Sequence, residues 1–273
     1  MITNATFLEH KIYRTMCQIN LSTEAIDRND HLSRIKNGVL LVCFFLLILP
    51  LYQCTGQVTA SDTPYTYKIG DRNGIGKWYM GREIAHVMGF QGMGWLDRPE
   101  REAEENTSKL LRNMRISMGD IIADIGAGSG YHVFKMAPLV GDGRIYAVDI
   151  QDEMLAALRT RKQNGKFKNI TLIKGIEESA NLPENSVDKV LMVDVYHEFA
   201  YPFEMITSIK KALRPNGELY LIEYRGEDPA VPIKRLHKMT EAQAVKEMQA
   251  AGMKLERNID NLPWQHCMVF VKE

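Results

Sequence analysis

Short apolar runs alternate with amphipathic stretches over the second half of the chain. The runs are rich in β-branched residues and fit buried strands, whereas the stretches between them have the periodicity of helices. The predicted strands are residues 120–125, 144–149, 170–174, 187–194 and 218–223. The predicted helices cover about 131–139, 153–163 and 202–213. Strands that alternate with helices predict a parallel sheet with helices on both faces.

The end of the chain has a different pattern. Thr240-Glu241-Ala242-Gln243 has the form of a capping box and opens a predicted helix that runs to about Ala251. Two further apolar strands, 255–259 and 267–271, are separated by a short turn and predict an antiparallel hairpin. The whole pattern therefore predicts an α/β domain with seven strands.

A glycine-rich turn, D-I-G-A-G-S-G, follows the first of these strands. Its glycines, Gly126, Gly128 and Gly130, permit a sharp turn and a close approach of the backbone to a ligand. Asp149 ends the next strand, where its carboxylate can accept two hydrogen bonds from a ribose. Tyr131 occupies the slot in which a dinucleotide fingerprint would carry its later glycine. The pattern predicts a nucleoside-cofactor site and speaks against an NAD-linked reductase.

The turn resembles motif I of class I S-adenosylmethionine (AdoMet)-dependent methyltransferases. Residues 119–273 are most similar to the small-molecule group that includes the ubiquinone and menaquinone C-methyltransferases, through the segments A-V-D-I, L-P-E-N-S-V-D, V-D-V-Y-H-E-F and L-R-P-N-G-E-L. The resemblance implies a Rossmann-like, seven-stranded sheet, mostly parallel, with an antiparallel last strand inserted between the fifth and sixth. It also implies AdoMet as the cofactor and a small-molecule methyl acceptor as the partner.

The resemblance further implies which residues contact the cofactor. Those placed at its methionine portion are Asp124, Gly126, Gly128 and Gly130. Asp149 would hold the ribose and Ile150 would flank the adenine. Glu177 stands one position later than the acid that binds the adenine amino group in this group of enzymes. Asp194 opens the loop after the fourth strand, beside the expected methyl group.

The same loop carries the candidate catalytic residues, His197 and Glu198. Methyl transfer from a sulfonium needs alignment of the acceptor, and a base only where the acceptor must lose a proton. His197 is the leading base because an unperturbed imidazole titrates near pH ~6.5. The alternative is that His197 only caps the loop or orients Glu198. A protein methyltransferase and a non-catalytic AdoMet-binding module also stay open as functions.

Two other segments are candidates for substrate selection. The insertion after the fifth strand carries cations that either clamp an acidic molecule or form solvated surface: Arg225, Lys234, Arg235, His237 and Lys238. Residues 61–118 read as a lid or N-terminal arm that is too rich in glycine to form a regular core element, followed by a helix from Asp97 to about Met114. Four of its side chains either face a substrate or pin the arm to the core: Tyr79, His86, Met88 and Trp95.

Charge and cysteine content narrow the choice of partners. The formal net charge is zero, so we expect no nucleic acid partner, and the local basic run within 159–174 reads as solvated surface. No C-x-x-C motif or cluster of His and Cys in the sequence indicates a zinc site, so no metal is expected.

The first 60 residues form an N-terminal extension. The apolar run 39–52 follows Arg34 and Lys36 and has the layout of a signal peptide or a membrane anchor, with a cleavage signal before Ser61. This layout predicts membrane association through 39–52 and a location in the cell envelope, although AdoMet is made inside cells. The alternative is a cytoplasmic enzyme.

Overall fold

The computed structural model describes residues 63–273. The predicted signal peptide or anchor at 39–52 and its cleavage site lie outside the described residues. Within residues 63–273, the helices are all too short or too polar to cross a membrane.

A small antiparallel sheet opens the described part of the chain. Its strands are β1 Tyr65–Tyr67, β2 Gly74–Tyr79 and β3 Arg82–Ala85, in the order β1-β2-β3. The prediction of an irregular arm here was wrong. The glycines serve the sheet, because a Cβ at Gly74 would lie 2.3 Å from the Glu83 carboxylate, and Gly76, with φ of 70°, falls where the β2–β3 register shifts. They make room for a buried side chain and for a bulge.

The large sheet has seven strands. In chain order they are β4 Ile121–Ile125, β5 Arg144–Asp149, β6 Ile170–Lys174, β7 Val187–Val193, β8 Leu213–Tyr224, β9 Met253–Asn258 and β10 Gln265–Lys272. The spatial order is β6-β5-β4-β7-β8-β10-β9. Neighbours from β6 to β8 are parallel, and β10 is antiparallel to both β8 and β9. The predicted fold, with its last strand inserted before the sixth, is confirmed.

Helices cover both faces of this sheet. They are α1 Met93–Leu96, α2 Arg101–Glu105, α3 Thr107–Asn113, α4 Val133–Met136, α5 Asp152–Asn164, α6 Pro202–Ala212 and α7 Glu241–Ala250. One buried cluster joins α6 and α7 to one face, and a second joins α3, α4 and α5 to the other. One half of the predicted capping box forms: the Thr240 hydroxyl accepts a hydrogen bond from the Gln243 amide at 3.2 Å, whereas the Gln243 side chain donates to Glu247 at 2.7 Å.

The single helix predicted from Asp97 to Met114 is two helices. Asn106 adopts a left-handed conformation with φ of 55° and ends α2. Its side chain then accepts a hydrogen bond from the Lys109 amide at 3.1 Å and caps α3. Asparagine tolerates this conformation better than most residues, so one residue both stops a helix and starts the next. The resulting bend brings α2 toward the carboxyl edge of the sheet.

Candidate active site

A cavity of about 500 Å³ lies at the carboxyl ends of β4, β5 and β7. This is the edge at which open α/β sheets bind ligands, and the volume lies in the range of small-molecule sites. Most of the predicted site residues line it: Gly126, Gly128, Asp149, Ile150, Glu177, Asp194, His197 and Glu198. Asp124 and Gly130 are not among its lining residues.

The glycine turn forms one wall of the cavity. Gly126 and Gly128 have φ of 72° and 53°, which L side chains rarely adopt. A Cβ at Gly126 would lie 2.4 Å from Val195, and one at Gly128 would lie 2.6 Å from Leu96. Gly130 serves packing instead, because its Cβ would meet Phe134 at 2.5 Å. The first two glycines therefore hold open the space at the cavity, and the third lets α4 and α5 pack closely.

Asp149 is fixed by the turn that it faces. One carboxylate oxygen accepts a hydrogen bond from the Gly128 amide at 2.9 Å, and the other accepts one from the Gln151 amide at 2.8 Å. Burial raises the pKa of Asp149, and these backbone hydrogen bonds work against the rise. Each carboxylate oxygen keeps a second lone pair, so the side chain is oriented and can still accept two hydrogen bonds from a ligand.

Two further carboxylates lie at the ends of β4 and β7. Burial raises the pKa of Asp124 to about 7, with Arg101 opposing and Asp149 adding to the rise. Burial, with the charges of Glu105 and Glu223, raises the pKa of Asp194 well above its usual value. One oxygen of Asp194 accepts a hydrogen bond from Gln265 at 2.7 Å, but Oδ1 is buried without a hydrogen-bond partner among residues 63–273.

His197 sits deep in the cavity wall, only 2% exposed. Its Nδ1 lies 2.6 Å from a carboxylate oxygen of Glu223, and its Nε2 lies 3.0 Å from Nδ1 of His237. Burial lowers the pKa of His197, but the charge and hydrogen bond of Glu223 outweigh it, so the net shift is upward. The predicted pair of His197 and Glu198 is therefore part of a larger group. No local signal in the sequence marks Glu223, which lies within an apolar strand.

The loop that carries His197 is held by the arm and by α7. Arg82, from β3, donates to the His197 carbonyl oxygen at 3.1 Å and forms two 2.8 Å hydrogen bonds with Glu247. The Tyr196 hydroxyl donates to the same Glu247 at 2.8 Å. These buried, paired charges fix the backbone on which the candidate catalytic side chains stand.

Residues 87–96 cover the cavity. The Met88 amide donates to Glu198 at 3.1 Å, and its carbonyl oxygen accepts from the Gln151 side chain at 3.0 Å. Met88 and Trp95 line the cavity, as one alternative predicted, whereas His86 is exposed. Tyr79 is buried against Tyr65 in the small sheet, as the other alternative predicted. Tyr79 therefore anchors the arm, whereas Met88 and Trp95 form part of the cavity wall.

A charged network that the sequence did not reveal completes the wall. Glu105 pairs with Arg98 and Arg101, each at 2.6 Å, and accepts a hydrogen bond from the Tyr224 hydroxyl at 2.8 Å. The bend at Asn106 brings these side chains to the cavity.

Only part of the basic insertion reaches the site. Lys234 and His237 line the cavity. Arg225 instead pairs with Asp260 at 2.6 Å, Arg235 with Asp71 at 3.2 Å, and Lys238 donates to the Asp228 carbonyl oxygen. A clamp of all five cations, one of the two alternatives, therefore does not form.

These features fit AdoMet. Gly126 and Gly128 leave space that side chains would fill, and Asp149 presents an oriented carboxylate for a ribose. The Asp194 oxygen without a partner in residues 63–273 is suited to the ammonium of the cofactor, which donates hydrogen bonds, or to the positive charge of its sulfonium. Ile150 and Ile176 add an apolar surface next to Asp149 that suits an adenine.

Comparisons with known proteins agree with this geometry. A family model described as "Methyltransferase domain" matches residues 116–268. The uncharacterized methyltransferase YdaC of Bacillus subtilis (strain 168) is 30% identical over 142 residues, covering 52% of this chain and 76% of that protein. A tRNA U34 carboxymethyltransferase of Pseudoalteromonas translucida is 29% identical, covering 59% of this chain and 51% of that protein. The ubiquinone/menaquinone C-methyltransferase UbiE of Coxiella burnetii is 26% identical, covering 46% and 51%.

The chain spans about half the length of the last two relatives. Among solved structures, a SAM-dependent methyltransferase from Aquifex aeolicus superposes with a TM-score of 0.64 and 23% identity, covering 67% of this chain and 98% of that one. This likeness shows the same fold. The chain therefore belongs to the methyltransferase-domain family, as a class I AdoMet-dependent methyltransferase.

Proposed function

We propose that the protein transfers the methyl group of AdoMet to a small-molecule acceptor bound between residues 87–96 and the His197 loop. The observation that carries this proposal is the covered cavity itself, whose acceptor side is lined by His197, Glu198 and His237. A covered cavity of this size favours a small molecule over a macromolecule.

The charges of the wall also favour a small molecule over tRNA, although one relative is a tRNA U34 carboxymethyltransferase. Nucleic acid binding requires cations that are free to meet phosphates. Of the three Arg and Lys side chains that line the cavity, Arg98 and Arg101 are engaged with Glu104 or Glu105, which leaves Lys234. Most of the other lining side chains are apolar, including Trp95, Ile150 and Ile233.

The bound cofactor supplies a methyl group on a sulfonium, which is a good leaving group. The protein's part is to align the acceptor, exclude water and take up a proton where the acceptor carries one. Met88 and Trp95 line the cavity and supply apolar surface against the acceptor. We assign the proton transfer to His197, because Glu223 holds its Nδ1 and leaves Nε2 directed toward Glu198 and His237.

Labelling decides among the possible acceptors. The protein is incubated with a cell extract and methyl-labelled AdoMet, and a Gly128→Val variant serves as the inactive control. We expect label in the small-molecule fraction with the wild-type chain only. Label that appears in RNA or in protein instead would contradict the proposal. So would the absence of labelled product in a sample that binds S-adenosylhomocysteine, which is the result expected of a non-catalytic binding module.

Replacing Asp149 with alanine should weaken S-adenosylhomocysteine binding by about 1.5–3 kcal/mol, the range for a lost hydrogen bond to a charged group. Isothermal titration calorimetry measures this directly. Asp152→Ala is the matched control, because this carboxylate is exposed and pairs with Lys174 at the surface. Equal affinities of the Asp149 variant and the wild type for S-adenosylhomocysteine would show that this residue does not bind the cofactor.

Cofactor affinity should also fall as the pH drops. A bound ammonium or sulfonium favours the ionised form of Asp194, which lines the cavity and whose pKa is raised well above its usual value in the free protein. Affinity is therefore highest where Asp194 is already ionised and is lost as it gains a proton. Calorimetry at pH 5.5 and 7 tests this, with 5′-methylthioadenosine, which lacks the amino acid portion, as the control ligand. An equal pH dependence for both ligands would contradict the assignment.

A further inference from the structure

Three metal-ligating side chains converge at the acceptor side of the cavity. Nε2 of His197, Oε1 of Glu198 and Nδ1 of His237 all lie within 4.8 Å of one another. The two nitrogens are 3.0 Å apart, and the carboxylate oxygen lies 3.5 Å from His237 and 3.8 Å from His197. We propose that these three residues form a binding site for one divalent transition-metal ion.

The spacing of the three atoms matches ligands of a common ion. Ligands that are each about 2.1 Å from an ion lie about 3.0 Å apart at a right angle and about 3.4 Å apart at a tetrahedral angle. The observed separations of 3.0 and 3.5 Å agree with these values, and the third, 3.8 Å, needs a shift of a few tenths of an ångström. A hydrogen bond between the two imidazoles also accounts for the shortest separation, so the argument for an ion rests on the three atoms together.

The surroundings orient His197 as a metal ligand. Its Nδ1 lies 2.6 Å from Glu223, a carboxylate that is fully buried and also accepts the Tyr196 amide at 2.9 Å. A neutral imidazole that donates its Nδ1 proton to a carboxylate presents the lone pair of Nε2, which is the usual arrangement behind a metal-bound histidine. Glu198 is held in turn by the Met88 amide, which donates to the same Oε1 at 3.1 Å, so this oxygen binds the ion through its other lone pair. Glu223 thus orients His197, and the Met88 amide holds Glu198.

The donor set selects the class of ion. Two imidazole nitrogens and one carboxylate oxygen suit Zn²⁺, Fe²⁺, Co²⁺, Ni²⁺ or Mn²⁺, whereas Ca²⁺ and Mg²⁺ prefer oxygen ligands alone. Three protein ligands leave coordination positions open, and all three residues line the cavity. The open positions therefore face the space assigned to the acceptor.

The role of this ion rests on the proposed function. An acceptor that carries an ionisable O–H, N–H or S–H group binds to the ion, which lowers the pKa of that group so that its proton passes to solvent. The freed electron pair forms a bond to the methyl carbon, and the pair of the broken carbon–sulfur bond stays on sulfur. In the metal-free protein, Nε2 of His197 is the base; in the loaded protein, it is a ligand.

Cobalt titration tests the site without reference to activity. The tag-free, full-length chain is treated with a chelator and titrated with Co²⁺, whose visible absorption reports its ligands. We expect one Co²⁺ per chain, displaced by Zn²⁺. Affinity should fall at least about 100-fold in His237→Ala and about 10–100-fold in Glu223→Gln, which removes the carboxylate behind His197. His266→Ala is the matched control, since His266 also pairs with a glutamate, at 2.9 Å, but lies away from the cavity.

Two outcomes overturn the metal site: no Co²⁺ binding by the wild-type chain, or binding that His237→Ala leaves unchanged. Titration of the same samples with S-adenosylhomocysteine, together with the labelling assay, separates this inference from the proposed function. Chains that methylate a small molecule but bind no Co²⁺ contradict the metal site alone. Chains that bind Co²⁺ through His237 but label only RNA or protein support the metal site and contradict the small-molecule acceptor.

Discussion

Replacing His197 with alanine should lower turnover by about 10²–10⁴-fold at saturating substrate, the usual contribution of a positioned acid–base group. The expectation holds whether Nε2 takes the proton itself or ligates an ion that acidifies the acceptor. S-adenosylhomocysteine affinity should stay close to that of the wild type, because Asp149 is held by the Gly128 and Gln151 amides and not by His197. Steady-state kinetics and calorimetry on the same preparation measure the two quantities.

His86→Ala is the matched control, since that side chain is exposed and does not line the cavity. Removal of His197 also leaves the buried Glu223 carboxylate without its imidazole partner, so the variant's thermal unfolding must be measured beside its kinetics. If the variant is folded and turns over at the wild-type rate, His197 takes no part in proton transfer, and the protein acts by aligning the acceptor alone. A second variant, Glu198→Gln, then shows whether the neighbouring carboxylate is needed.

Replacing Gly128 with valine should weaken cofactor binding by at least about 100-fold. Its φ of 53° is unfavourable for a β-branched residue, and a Cβ there would lie 2.6 Å from Leu96 on the cavity wall. The backbone would have to move, and the Gly128 amide that holds Asp149 would move with it. Calorimetry with S-adenosylhomocysteine gives the affinity.

The Gly119→Val variant is the control that distinguishes loss of the cofactor site from a general effect of backbone strain. Gly119 also has a positive φ, 89°, but a Cβ there meets nothing within 4 Å and the residue does not line the cavity. We expect both variants to lose stability and only Gly128→Val to lose the cofactor. Equal loss of binding in the two variants would show that the effect comes from unfolding.

The large sheet and its cofactor edge could be predicted from the sequence because their signals are local. A buried strand needs a continuous apolar run, and the observed Arg144–Asp149 and Ile170–Lys174 coincide with the predicted strands. The glycine turn and Asp149 follow directly from strand ends, and parallel strands place their carboxyl ends at one edge. Most of the predicted cofactor residues accordingly line one cavity.

Two local predictions failed where a backbone conformation depends on a single residue. The break at Asn106 looks like any polar position of a helix until its left-handed φ is known. In the sequence, the glycines of the arm look like part of an irregular loop. At Gly74 a glycine is needed because the Glu83 carboxylate of a neighbouring strand packs against it. In both cases, the contact that decides the conformation is not visible in the pattern of apolar residues.

The acceptor side of the cavity shows most clearly which features the sequence determines and which depend on the tertiary structure. The sequence alone determined the sheet, the nucleoside-binding edge and the place of His197 in the loop after the fourth strand. Only the tertiary structure brought Glu223 and His237, which stand 26 and 40 residues from His197, to its two ring nitrogens. The pattern of apolar residues shows where each strand ends, and so where the next loop begins, because a strand has a regular repeat. Which side chains meet in that loop depends on how segments distant in the sequence pack together, and this packing leaves no repeating pattern in the sequence.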